Sequence, residues 1–259
     1  MPGCRSKRRN TNDPEKLMIA AQAMILAAGR GERMRPLTDH CPKPLLEVRG
    51  KPLMAYHVEA LGRNGYRDIV VNTAWLGQQI EQRFASHQPL RERDSPSSEI
   101  PRIRFSHEGL DFGGALETAG GIARALPLLD EVFWVVGGDV YAPEFEFSRA
   151  ALEHFRSSGK LAHLVLVPNP PHNPKGDFGL RPDGLALNLS QQRYTYSTIG
   201  LYRQQLFASL PVGNPHGLKA PLAPLLRAAM DNEQVTAEIY TGHWTDVGTP
   251  ERLAQLNKT

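Results

Sequence analysis

Cysteine is scarce. Cys4 and Cys41 are the only two in 259 residues, too few and too isolated for a disulfide framework or a CxxC metal site. Cys4 lies in a polar tail and Cys41 in a proline-rich loop, so both are expected to be free thiols of a cytoplasmic protein. Long apolar runs are also missing. None approaches the roughly 18 residues that cross a bilayer, which excludes a spanning helix. The nine histidines form no HExxH pair, and no Gly-x-Ser-x-Gly elbow occurs, so the zinc-hydrolase and acyl-transfer signatures are absent.

An excess of one charge is lacking as well. The formal net charge is +3, and residues 1–16 carry all of it, with five basic groups against Asp13 and Glu15. The remaining 25 basic and 25 acidic residues balance, which leaves no electrostatic footprint for nucleic acid. Residues 1–22 read as a solvated, disordered basic tail without the apolar core of a signal peptide. Translation starting at Met18 or Met24 is an alternative.

What the chain does have is a composition of 41% hydrophobic and 22% charged residues, ordinary for a globular fold. Short β-branched runs alternate with segments of helical period. Strands are expected at Ala23–Ala28, Asp68–Asn72, Glu131–Val136 and Leu161–Val167, and helices at Met54–Asn64, Leu76–Ser86, Glu117–Leu126, Leu218–Asp231 and Thr249–Asn257. This order predicts an α/β fold with a mostly parallel sheet and helices on both faces. Gly179–Tyr202 suggests short antiparallel strands in a second lobe on the same sheet. Residues 23–257 then form one domain, with a nucleotide-binding part over about 23–160 and a small mixed lobe over about 161–257. Loop 87–101, polar and with three prolines, is read as a tolerated insertion, with a lid as the alternative.

Ligands on such sheets bind beyond the carboxyl ends of the strands, where two loops gather special residues. The first runs from Met24 to Leu45 and holds Gly29, Gly31, Arg33, Arg35 and Pro42-Lys43-Pro44. Its glycines free backbone N–H groups for an anion. Its arginines offer planar forks to phosphate oxygens, and the two prolines aim the Lys43 charge. Walker A is excluded because Gly50-Lys51 precedes Pro52 and Gly159-Lys160 precedes Leu161. A dinucleotide fingerprint is excluded because Met34 stands where its third glycine would fall. The second loop, Gly137-Gly138-Asp139, puts a carboxylate at a strand end, either as a turn residue or as a ligand for a cation.

The first loop, with its Pro36-Leu37-Thr38, Pro-Lys-Pro and closing Gly50-Lys51-Pro52, resembles the signature of the nucleotide-diphosphate-sugar pyrophosphorylases, or sugar-1-phosphate nucleotidyltransferases. The resemblance continues over nearly all of residues 23–257. Gly31-Glu32-Arg33-Met34, Ala74-Trp75-Leu76-Gly77-Gln78-Gln79, Leu116-Glu117-Thr118 and Gly242-His243-Trp244 with Asp246-Val247-Gly248-Thr249 look most like the N-acetylmuramate α-1-phosphate uridylyltransferase branch.

That resemblance implies a Rossmann-like, GT-A-like domain. It also implies transfer of a nucleotidyl group, from UTP by preference, to a sugar 1-phosphate, N-acetylmuramate 1-phosphate by preference, in cell-wall sugar recycling. Catalysis falls to Arg33, Lys43 and Asp139. Nucleotide binding falls to Leu26, Ala28, Gly29, Gly31, Glu32, Arg33, Lys43, Glu117 and Gly120. Mg²⁺ is implied as cofactor, on Asp139 and Asp246. Asp177, Gly179 and Lys219 are implied on the sugar side, Lys219 with a surface position as the alternative. No nucleic-acid or membrane partner is expected.

One departure stands out: Gly184–Tyr196 lacks the Glu-Lys-Pro that many relatives use to bind the sugar, so sugar recognition does not carry over. Alternative readings are a mannose-1-phosphate guanylyltransferase, a glucose-1-phosphate uridylyl- or thymidylyltransferase, and a non-catalytic nucleotide-sugar-binding regulatory protein.

Overall fold

Seven strands make the central sheet: β1 (Ala21–Ala27), β2 (Asp68–Thr73), β3 (Arg102–His107), β4 (Leu129–Gly137), β5 (Ala162–Val167), β6 (Thr195–Arg203) and β7 (Val235–Ile239), in the spatial order β7-β5-β6-β4-β1-β2-β3. The computed structural model describes residues 21–85 and 101–258. The basic tail, apart from its last two residues, and nearly all of loop 87–101 lie outside the described residues.

β1 pairs in parallel with β2 and β4, β2 with β3, and β5 with β7. β6 alone reverses, running antiparallel to both β4 and β5. The strands are near-continuous apolar runs because helices cover both faces. On one face pack α1 (Leu53–Arg63), α2 (Gly77–Ala85) and α5 (Arg149–Ser158), through residues such as Met54, Val58, Ile80, Leu152 and Phe155. On the other pack α4 (Glu117–Ala125) and α6 (Leu222–Asp231), through Ile122, Leu226 and Met230. A short α3 (Glu108–Phe112) follows β3. The closing α7 (Pro250–Leu256) starts as expected, with the Thr249 side chain accepting a hydrogen bond from the Arg252 N–H and Pro250 in the first turn.

The expected elements are present with ends shifted by a few residues. The largest shift is at α6, which begins at Leu222 rather than Leu218 because Ala220 is tied to α4. Its N–H donates to Leu116 O, and its carbonyl accepts from Ala119 and Gly120. No helix among the described residues is long and apolar enough to cross a membrane. The second-lobe segment supplies β5 to β7 to the same sheet, plus a two-residue ladder of Gly179–Leu180 with Ala186–Leu187. Reversal of β6 has a positional result: its entering end lies at the edge where β1 and β4 terminate, so both halves of the chain meet at one crevice.

Candidate active site

Three adjoining cavities line that crevice. The central one, about 280 Å³, is bounded by the end of β1 (Leu26, Ala27, Ala28, Gly29), by Lys43, and by Glu117, Asp139 and Thr198. It shares Lys43 with a cavity of about 350 Å³ formed by Gly31, Glu32, Arg33, Met34 and Gly248. It shares Leu26, Glu117, Thr118 and Thr198 with a third of about 530 Å³ that reaches Asp177, Phe178 and α6.

The loop after β1 is built to hold its charges. Gly31 sits at φ +68°, and a Cβ there would crowd Thr38 Cγ2 at 3.1 Å and Lys43 Cβ at 3.3 Å, so only glycine fits. Thr38 closes the turn by donating its hydroxyl to Gly31 O at 2.8 Å. Trp75 braces the loop from outside: its indole N–H donates to Thr38 O at 2.9 Å, and the Arg30 guanidinium lies 4.2 Å from its ring centre. Gln79 donates to His40 O at 3.1 Å. The Ala74–Gln79 stretch is thus the support of the loop rather than part of the cleft.

Lys43 Nζ meets Asp139 Oδ2 at 2.5 Å, across 96 positions of sequence. The ammonium end is largely enclosed and the carboxylate more open, with side-chain exposures of 12% and 39%, so the carboxylate keeps a face toward the cleft. Arg33 is exposed beside Lys43, and among the described residues no carboxylate pairs with it. Asp246 stands next to Asp139 through the backbone: Thr245–Asp246 pairs with Val140–Tyr141, and Val247 N–H donates to Asp139 O at 2.9 Å. Its Oδ1 is bound by Arg252 and lies 2.6 Å from His172 Nε2.

Among the described residues no cluster of three or more His, Cys, Asp or Glu could hold a metal by itself. Two carboxylates on adjoining backbone fit Mg²⁺ of the kind that completes its shell with phosphate oxygens and water.

Behind the floor lies a buried polar chain. Ala27 N–H donates to Asn72 Oδ1, Asn72 Nδ2 donates to Glu108 Oε1 at 2.6 Å, and Leu116 N–H donates to Glu108 Oε2 at 2.7 Å. Burial pushes the Glu108 carboxyl above its ordinary range, against the lowering effect of those two donors. His57 on α1 is fully enclosed, and burial pushes it down to about 4, so it is neutral and donates Nε2–H to Val140 O at 2.8 Å. That bond pins the strand just past Asp139.

Thr198 carries the sharpest strain. It is β-branched yet sits at φ +61°, a genuine outlier for this residue type. The β6 register slips there, between Tyr196 and Ile199. Its Oγ1 is buried without a hydrogen-bond partner, and it borders both the central and the third cavity. Glu117, at φ +59° at the start of α4, borders the same two. Strain of this kind gathers at functional sites.

Of the expected site residues, the cavities bring together Leu26, Ala28, Gly29, Gly31, Glu32, Arg33, Lys43, Glu117, Asp139 and Asp177. Asp177 Oδ2 accepts from Tyr196 N–H at 2.8 Å and from Asn173 Nδ2 at 3.2 Å. Four others stand outside the three cavities, among them Asp246, which adjoins Asp139 through the backbone. Gly120 is covered by the Leu218–Ala220 backbone, Gly179 packs against Ser190 and Leu187, and Lys219 is exposed outside the three cavities. Cys41 is half-buried, and burial raises its thiol, which leaves it a poor nucleophile. Cleft residues that the sequence pattern did not single out are Asn72, Glu108, Thr198 and Arg227. Asn72 had a signal, a polar residue closing the DIVVN strand at the carboxyl edge.

The family pattern of the nucleotidyl transferases matches residues 22–184. The chain is 45% identical to the N-acetylmuramate α-1-phosphate uridylyltransferase of Neisseria meningitidis, over 90% of this chain and 96% of that one. It is 28% identical to the catalytic subunit beta of a Drosophila pseudoobscura mannose-1-phosphate guanylyltransferase, over 89% of this chain and 60% of that one. HddC from Yersinia pseudotuberculosis shares the fold, with a TM-score of 0.65, 18% identity, and coverage of 92% of this chain and 98% of that one.

Proposed function

The chain belongs to the nucleotidyl transferase family, and from that premise we propose that it transfers the uridylyl group of UTP to N-acetylmuramate 1-phosphate, releasing pyrophosphate and forming the UDP-sugar. The observation that carries this reading is the Lys43–Asp139 contact at 2.5 Å, which joins the basic loop to the acid across a cleft open on both sides.

An oxygen of the sugar phosphate attacks the α-phosphorus in line, a P–O bond forms, and the bond to the β-phosphate oxygen breaks. The attacking phosphate is anionic near neutral pH, so no side chain has to remove a proton. Positioning and charge stabilisation carry such transfers. Lys43 offsets charge growing on the transferred phosphate, and Arg33, farther along the loop, serves the departing pyrophosphate. Gly29 and Gly31 turn the backbone so that phosphate oxygens can approach its N–H groups. The base lies toward the central cavity and the sugar toward Asp177.

Asp139 and Asp246 would hold Mg²⁺, which when bound neutralises phosphate charge. His172 and Arg252 hold Asp246 in place. The scarcity of cysteine suits a cytoplasmic site of action.

A matrix of four nucleoside triphosphates against N-acetylmuramate 1-phosphate, mannose 1-phosphate and glucose 1-phosphate tests the reading through pyrophosphate release. UTP with N-acetylmuramate 1-phosphate is expected to be the most efficient pair. Release confined to GTP and mannose 1-phosphate would refute the substrate, and silence in every well would refute the enzyme.

A further inference from the structure

We infer that Arg227 reads a carboxylate on the sugar, so that the cleft accepts a sugar phosphate bearing an anionic carboxyalkyl ether in preference to its neutral counterpart. The inference rests on the proposed sugar-phosphate substrate and goes beyond it by naming the group that selects.

The third cavity has an uneven wall. Leu222, Ala223 and Leu226 of α6, with Phe178 facing them, make one side apolar. Arg227 stands beside Phe178, its guanidinium 5.2 Å from the ring centre. Its Nη1 donates to Asn188 Oδ1 at 2.6 Å, which fixes the plane of the fork. Among the described residues no carboxylate lies within ion-pairing distance of Arg227. That sets it apart from Arg102, Arg124, Arg156, Arg181, Arg203 and Arg252, each of which meets an acid.

Of the two acids that line this cavity, Glu117 and Asp177, Asp177 has one oxygen taken up by Tyr196 N–H and Asn173. A half-buried arginine held by a ring and one amide, yet lacking an anion, is a receptor for one.

The cleft then presents an unpaired guanidinium at each end, Arg33 beside the glycine loop and Arg227 on α6. A plain sugar 1-phosphate is anionic at one end only. N-acetylmuramate 1-phosphate also carries a lactyl ether, a methyl-bearing carbon ending in a carboxylate. The methyl group suits the Leu222–Leu226 side, and the carboxylate suits the guanidinium beside it.

The test compares N-acetylmuramate 1-phosphate with N-acetylglucosamine 1-phosphate, which lacks the lactyl group, for the parent, Arg227→Gln and Arg227→Lys. The parent should favour the carboxylated sugar. Loss of a hydrogen bond to a charged group predicts that Arg227→Gln raises its KM about 10- to 100-fold, with little change in kcat. The KM for the neutral sugar should stay near the parent value, and Arg227→Lys should recover part of the preference. Equal efficiency of the parent with both sugars would overturn the inference alone. So would an equal loss on both in Arg227→Gln, which is the signature of a mere prop for Phe178. Pyrophosphate from neither sugar, with release from mannose or glucose 1-phosphate, would overturn the substrate reading along with it.

Discussion

Lys43→Met separates catalysis from stability. The variant keeps the aliphatic stem that packs under Gly31 and removes the charge 2.5 Å from Asp139. In the resting protein the pair is partly open to water on the carboxylate side, at 39% exposure, so its contribution to folding is small, about 0–1 kcal/mol after screening. Under the proposed reaction the same ammonium faces charge that develops inside the cleft, where one preorganised donor is worth about 2.7–4 kcal/mol, or 10²–10³ in rate. Turnover should therefore fall by about two to three orders of magnitude. The urea midpoint should move by about 1 kcal/mol equivalent or less. The assays are initial-rate pyrophosphate release with both substrates saturating, and urea unfolding of the same preparation. Turnover within about tenfold of the parent would show that Lys43 is not aimed at the reacting phosphate. A rate loss matched by a large drop in unfolding midpoint would show that it is a structural strut.

Two further outcomes follow from the interior. His57 takes a proton near its ordinary 6.5 when unfolded but only at about 4 when folded. Stability is therefore present above pH 6.5 and lost as pH falls through that window, by about 2 kcal/mol at pH 5. His57→Gln should flatten the fall between pH 7 and pH 5 by that amount in urea titrations, and an unchanged slope would assign the effect to other groups. Gly121 leaves no room for a side chain, since a Cβ would press on the Glu108 carboxylate and lie 3.0 Å from Asn72 Nδ2. Gly121→Ala should cost about 1–3 kcal/mol in unfolding free energy, and a variant as stable as the parent would show that the Asn72–Glu108 pair yields freely.

The parts of the site that depend on local rules could be read from the sequence. An apolar run ending in glycines marked β1 and the glycine turn that follows it. The strand EVFWVV followed by Gly-Gly-Asp located Asp139 at the crevice, and Thr249-Pro250 marked the start of α7. What depends on tertiary register was not legible. The Thr198 bulge lies where β6 changes register against β5, just ahead of its first residue paired with β4. Arg227 reads as an ordinary polar residue of an amphipathic helix until Phe178 and Asn188 are brought to it. Gly120 and Gly179 looked like ligand contacts because a glycine in a motif does not reveal whether a substrate or another backbone comes close. Here backbone 218–220 and Ser190 fill those places.

The reversed strand β6 also bears on how such chains can be divided. Gly200, Leu201 and Tyr202 are seated on Val135, Trp134 and Phe133, so a cut near residue 160 would strip β4 of its neighbour and bare an apolar ladder edge, the kind that recruits foreign strands. The N-terminal half is therefore no transplantable cassette. Changes to the third cavity would have to proceed through point substitutions along α6 and around Asp177 and Phe178, with the woven sheet left whole.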